Sequence, residues 1–128
     1  MPAYSYPYNN EDFEPAMPVA EVILLSRSGE TAAELVALVD SGSDATLLPI
    51  ESLRAAGARY LRSGKMRGIT RPVVPVDMYV TRVQLGQHTI PGIKAIAGVN
   101  PSEAILGRDV LNQLDLRLIG PAQELWFE

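Results

Sequence analysis

Ala37-Leu38-Val39-Asp40-Ser41-Gly42-Ser43-Asp44-Ala45-Thr46-Leu47-Leu48-Pro49 is the stretch whose reading decides the fold. An apolar run drives into an acid, small turn-forming residues follow, and a second apolar run leaves. Such runs, bounded by Ser and Gly, read as core strands with Ser41-Gly42-Ser43 as the tight loop between them. A carboxylate between two buried segments is costly unless it is used. Asp40 is therefore expected at a loop tip, held from both sides, where a rigid scaffold displays a working residue.

The surrounding chain gives that loop a β framework. Upstream, Val19 to Leu25 and Thr31 to Val39 flank the turn signal Arg27-Ser28-Gly29-Glu30 and read as a hairpin. Downstream, Ala45 to Leu48 reads as a third strand. Pro49 to Ala56 reads as a short helix with proline in its first turn and Gly57 as its stop. Ala58 to Leu61 is a brief strand. Arg62 to Pro75 mixes glycines, prolines and cations with isolated apolar residues, which suits an exposed β-hairpin. Val76 to Leu85 alternates as a half-buried strand and His88 to Ala97 pairs back across Gly86-Gln87. Ala104 to Leu106 is a short buried strand, Arg108 to Gln113 a short helix, and Asp115 to Ile119 and Glu124 to Phe127 are closing strands. The pattern is mostly β, with a closed, barrel-like sheet and one or two short helices.

Bulk properties narrow the function. The chain has 128 residues, room for one core but not for two lobes. Residues 1–18, rich in proline and tyrosine, read as a flexible N-terminal arm, and residues 19–128 as the folded domain. With a net charge of −4, and with cations diluted by apolar residues, nucleic acid is not the expected partner. There is no cysteine and a single histidine, His88, so neither a thiolate metal site nor a metal of any kind is expected, and no cofactor. His88 follows a turn, and nothing near Ser41 or Ser43 resembles a nucleophile elbow. No signal-peptide pattern or membrane-length apolar run is evident, so no membrane partner and a cytoplasmic location are expected.

One chemistry that an acid displayed in this way can serve is hydrolysis. Hydrolysis by carboxylates alone needs two acids sharing one water, one ionised and one protonated. Only Asp40 stands before the small residues that would expose it; Asp77, Asp109 and Asp115 do not. Half a site on a chain too short for two lobes implies a second copy, with a two-fold axis bringing Asp40 against Asp40.

Asp40-Ser41-Gly42-Ser43 resembles the Asp-Thr/Ser-Gly-Ala/Ser signature of aspartic proteases. Ala104-Ile105-Leu106-Gly107-Arg108-Asp109-Val110-Leu111 is similar to the segment near the C-terminus of retroviral-type proteases. Together, the chain resembles the retropepsin-like family, and its continuation past Arg108 looks closer to the cellular and bacterial members than to the viral ones. The resemblance implies an aspartic endopeptidase, a peptide or protein substrate, and a homodimer. It implies Asp40 as the catalytic acid, Ser41 as a hydroxyl locking the two loops together, and Gly42 as a carbonyl facing substrate. Ser43 would lie beside the dyad. Asp44 would touch substrate main chain and pair with Arg108. Met66, Arg67, Gly68 and Ile69 would belong to a flap over the substrate. The competing expectation is a non-catalytic dimeric peptide-binding module of the same fold. The apolar Leu116, Leu118, Leu125, Trp126 and Phe127 form a candidate dimer sheet.

Overall fold

The computed structural model describes residues 4–66 and 72–128. Along the chain come β1 (Tyr4–Pro7), β2 (Val19–Leu25), β3 (Thr31–Val39), β4 (Leu47–Pro49), α1 (Ile50–Ala55), β5 (Arg59–Met66) and β6 (Val74–Leu85). Then follow β7 (His88–Gly98), β8 (Ile105–Leu106), α2 (Arg108–Leu111), β9 (Leu116–Ile119), a 3-10 turn at Gly120–Ala122 and β10 (Glu124–Phe127). The fold is mostly β with two short helices, as the sequence pattern implies.

One sheet runs in the order β2-β3-β8-β4-β7-β6-β5, and β2 also pairs with β6. That extra pairing curls six strands into a ring and leaves β5 outside it, on β6. The β2–β3 hairpin turns at Gly29, whose φ of +88° suits glycine and few other residues. Ala37 and Val39 of β3 point into the ring, where Leu24, Leu48, Leu53, Leu85, Leu106 and Val110 are fully buried. Leu38 and Asp40 alternate to the other face.

The strands on either side of Asp40 are not neighbours. β8 lies between them, parallel to β3 at Leu38↔Ile105 and Val39↔Leu106, and antiparallel to β4 at Leu47↔Ile105. β4 in turn runs parallel to β7. Two-residue strands cannot hold themselves, so these apolar pieces are stabilised by distant partners rather than by a hairpin of their own. This crossing carries Gly107 and α2 beneath the Asp40 loop.

The β5–β6 hairpin is longer than the sequence suggested. Its pairing extends from Arg59↔Val80 to Met66↔Val74, with a register shift between Tyr60 and Arg62. Side chains tie its base: Tyr60 and Ser63 share a hydroxyl–hydroxyl hydrogen bond of 2.9 Å, and Ser63 donates to Asp77 Oδ1 at 3.0 Å. The expected flap residues Arg67, Gly68 and Ile69 lie outside the described residues.

A second sheet has the order β1-β10-β9. Tyr4–Pro7, within the segment read as a flexible arm, forms its edge strand, because the alternating Tyr-Ser-Tyr-Pro lays both rings on Phe127. The Tyr4 and Tyr6 centroids stand 5.1 and 5.9 Å from that ring. Leu125 and Phe127 are buried inside the chain's own core. These two residues close the monomer core and do not form a dimer face, whereas Leu118, on the open edge strand β9, is 56% exposed. Among the described residues no helix is long and apolar enough to cross a membrane.

Candidate active site

The loop from Asp40 to Ala45 is fixed at every step. The Asp40 amide donates to the Leu106 carbonyl at 3.1 Å, which anchors the end of β3 on β8. The Ser43 amide donates to the Asp40 carbonyl at 3.1 Å and closes a tight turn. Within that turn the Gly42 amide donates to Asp40 Oδ1 at 2.9 Å. Aspartate favours this geometry because its short side chain reaches the backbone two residues on. One carboxylate oxygen is thereby held and the other left without a hydrogen bond among the described residues. A Cβ on Gly42 would stand 3.1 Å from Asp40 Oδ1, so even alanine would press on the carboxylate.

The floor beneath is set by the Gly107-Arg108-Asp109 segment. A Cβ on Gly107 would meet the Ala45 carbonyl oxygen at 2.5 Å and the Ser43 carbonyl oxygen at 2.9 Å. Only glycine allows the two backbones to pass so closely, and the Arg108 amide then reaches the Ser43 carbonyl at 2.8 Å. Arg108 grips the outside of the loop. Its Nη1 donates to the Ser41 carbonyl at 2.7 Å and its Nη2 to Asp44 Oδ1, so the pair expected between Asp44 and Arg108 is in contact. With Asp44 89% and Arg108 42% exposed, that pair contributes at most about 1 kcal/mol.

A stronger grip comes from residues that carried no role in the sequence reading. Thr46 is completely buried. Its hydroxyl donates to Asp109 Oδ1 at 2.7 Å and accepts from the Gly107 amide at 3.1 Å. Its amide donates to Asp109 Oδ2 at 3.2 Å, and Asp109 Oδ1 also accepts the Val110 amide at 2.9 Å. Asp109 thus clamps the far end of the Asp40 loop to α2. The signal was present in the sequence: a hydroxyl ahead of Leu47-Leu48 must find a buried partner.

The remaining expected site residues are distributed unevenly. Ser41 is exposed, and its hydroxyl makes no hydrogen bond among the described residues. Ser43 is half-buried, with its hydroxyl bound to the Ala45 carbonyl at 2.7 Å. Met66, at the end of β5, lines a cavity of about 510 Å³ with Leu47, Ile50, Val76 and Ile96. The cavity therefore runs from the β5–β6 hairpin to the strand that leaves the Asp40 loop.

Comparison with known proteins agrees with this geometry. The aspartyl protease family profile matches residues 28–110, which include both the Asp40 loop and the Gly107 floor. A retropepsin-like aspartic protease from Rickettsia conorii is similar in structure, with a TM-score of 0.53 and 18% identity over 87% of this chain and 92% of that one. The simian foamy virus protease is also similar, with a TM-score of 0.52 and 16% identity over 73% of this chain and 91% of that one. No match is found among curated protein sequences. At these identities the structural likenesses speak for the fold, and the family profile speaks for the sequence. The chain belongs to the aspartyl protease family, with the retropepsin-like fold.

Proposed function

We propose that this chain is an aspartic endopeptidase that works as a homodimer, with one Asp40 from each subunit sharing the hydrolytic water. The observation that carries this reading is the Asp40 carboxylate itself, with one oxygen held by the Gly42 amide and the other without a hydrogen bond among the described residues, on a loop fixed from beneath. Preorganisation of this kind is what a reacting carboxylate needs.

Acid counting supports the second copy. Asp109 is spent on Thr46, Asp77 on Ser63 and Asp44 on Arg108. Asp12 lies in the N-terminal segment and Asp115 follows α2. Residues 1–3 and 67–71 contain no acid. A single chain therefore offers one free acid of the right kind. The edge strand β9 with exposed Leu118 is an apolar edge that a second copy would cover.

In the dimer, two Asp40 carboxylates in contact cannot both ionise cheaply, so one keeps its proton. The ionised partner takes a proton from water as the water oxygen attacks the peptide carbonyl carbon. The protonated partner donates to the carbonyl oxygen. Collapse of the tetrahedral gem-diol breaks the C–N bond: the amine leaves with the dyad's proton, one gem-diol hydroxyl returns its proton to the other Asp40 as the product carboxyl forms, and the shared-proton state is restored. Ser41, exposed beside Asp40, is available to bind the facing loop, and Met66, at the end of β5, to line the peptide site.

Asp40→Asn tests the assignment. Purified variant protein is expected to keep the parent's circular dichroism spectrum and sedimentation while losing cleavage of a peptide library. Undiminished cleavage by pure Asp40→Asn protein would remove Asp40 from the mechanism. A wild-type protein that binds peptides but cuts none would instead support a binding module.

A further inference from the structure

The second face of β3 leads from Asp40 into a groove. Leu38 and Val36 follow Asp40 at two-residue spacing on the same strand face, and Val36 is 61% exposed. They floor a cavity of about 640 Å³ whose walls come from two different loops. One wall is the segment between β1 and β2, with Asp12 and Phe13. The other is the loop between β7 and β8, with Asn100 and Glu103.

Both walls are built structures. In the first, Asn9 and Met17 exchange backbone hydrogen bonds of 2.8 and 3.0 Å that close the loop at its neck. Asn9 Oδ1 accepts the Glu11 and Asp12 amides at 3.0 and 3.1 Å, and Asn9 Nδ2 donates to Asp12 Oδ2 at 3.0 Å. The Pro18 carbonyl accepts the Val39 amide at 3.0 Å, which ties the loop to the residue preceding Asp40. In the second wall, Asn100 Oδ1 accepts the Ser102 amide and hydroxyl at 3.0 and 2.9 Å.

The charge of this groove is one-sided. Asp12 and Glu103 stand on its opposite walls, and no Lys or Arg lines it among the described residues. Its floor and Phe13 are apolar. An extended strand rises about 3.3 Å per residue, so Val36 lies roughly 13 Å along β3 from Asp40, within reach of the fourth residue of an extended peptide.

We infer that the segment 9–17 forms a wall of the substrate channel, and that Asp12 and Glu103 across the Leu38–Val36 floor select peptides with Lys or Arg two to four residues from the scissile bond. This rests on Asp40 being the catalytic acid. A long basic side chain fits the groove in both its parts, its aliphatic stem on Val36 and Phe13 and its cationic head between the acids. In a two-fold dimer the groove occurs on both sides of the cut.

The test is cleavage-site profiling on a proteome-derived peptide library, with cut positions read by mass spectrometry. Wild-type protein is expected to enrich Lys and Arg over Asp and Glu at those positions by roughly three- to tenfold, the effect of two exposed ion pairs. The double variant Asp12→Lys/Glu103→Lys is expected to abolish or invert that ratio. A wild-type ratio near one, or a ratio unchanged in the double variant, overturns the inference while leaving Asp40 untouched. Retention of Lys-bearing against Glu-bearing decapeptide pools on immobilised Asp40→Asn protein reads the same preference without turnover. If no peptide is cut, the catalytic reading falls, and equal retention of the two pools would overturn the groove separately.

Discussion

Replacing Thr46 with valine removes one oxygen and nothing else of consequence to shape. Thr46 is fully buried, and its hydroxyl bridges Asp109 Oδ1 and the Gly107 amide. Thr46→Val leaves the Gly107 amide without that acceptor and takes a charge-assisted hydrogen bond from Asp109. A lost bond to a charged group contributes about 1.5–3 kcal/mol, and a buried donor left unsatisfied costs about 1–3 kcal/mol. The two overlap, so the expected loss is about 2–4 kcal/mol. For a domain of this size that corresponds to roughly 6–16 °C in Tm. Asp44→Ala removes the more familiar-looking ion pair at an exposed site, and its cost is expected to stay below about 1 kcal/mol. Urea unfolding followed by Trp126 fluorescence, at one fixed protein concentration, gives both values. Because the loop carrying Asp40 hangs from Thr46, kcat is expected to fall in Thr46→Val. Equal stability losses in the two variants, or a Thr46→Val loss under about 0.5 kcal/mol, would refute the clamp.

Three further predictions concern the floor, the docked strand and the subunit edge. Gly107→Ala is expected to destabilise by several kcal/mol, on the order of a severe core change, because its Cβ would sit 2.5 Å from the Ala45 carbonyl oxygen; thermal denaturation reads this directly. Burial pushes the Tyr6 phenol above its ordinary value, with the charge of Glu21 and then Tyr4 adding to it. A folded-state pKa raised in this way contributes stability that is complete below the unfolded value of about 10 and is lost as pH rises through the folded value. Ultraviolet titration should accordingly lose a late-ionising component in Tyr6→Phe, and that variant should make β1 docking less sensitive to alkali. Leu118→Asp puts a charge on the open edge of β9 and is expected to weaken dimer formation at least tenfold in sedimentation equilibrium, with the monomer's spectrum unchanged.

Much of the fold is written in local pattern. The apolar runs of Val19 to Leu25 and Thr31 to Val39, the alternation in Val76 to Leu85, the turn residues around Gly29 and Gly86, and the Pro49 and Gly57 boundaries of α1 each report their own structure. The Asp40 loop was legible for the same reason, since an acid and small residues between apolar runs is a local signal. Pairings between distant short pieces were not. Leu47–Pro49 and Ile105–Leu106 are too short for periodicity to register, and nothing local says that β8 separates β3 from β4. Thr46 signals only that its hydroxyl needs a buried partner; that the partner is Asp109 depends on that crossing and stayed hidden with it. Tyr4–Pro7 read as tail because its partner strand lies at the other end of the chain and its rings are held by Phe127. The wall formed by residues 9–17 was hidden by the same distance, since its acid faces one that lies far away in sequence.

The need for two copies of Asp40 is tested most directly by mixing. Wild-type and Asp40→Asn chains are combined in equal amounts, unfolded and refolded together, and assayed on one peptide at constant total protein. If each site takes an Asp40 from both subunits, only dimers with two wild-type chains cut. Random pairing then leaves about a quarter of the activity of the same amount of wild-type protein. Activity of about half, the value for chains that work independently, would contradict the shared dyad.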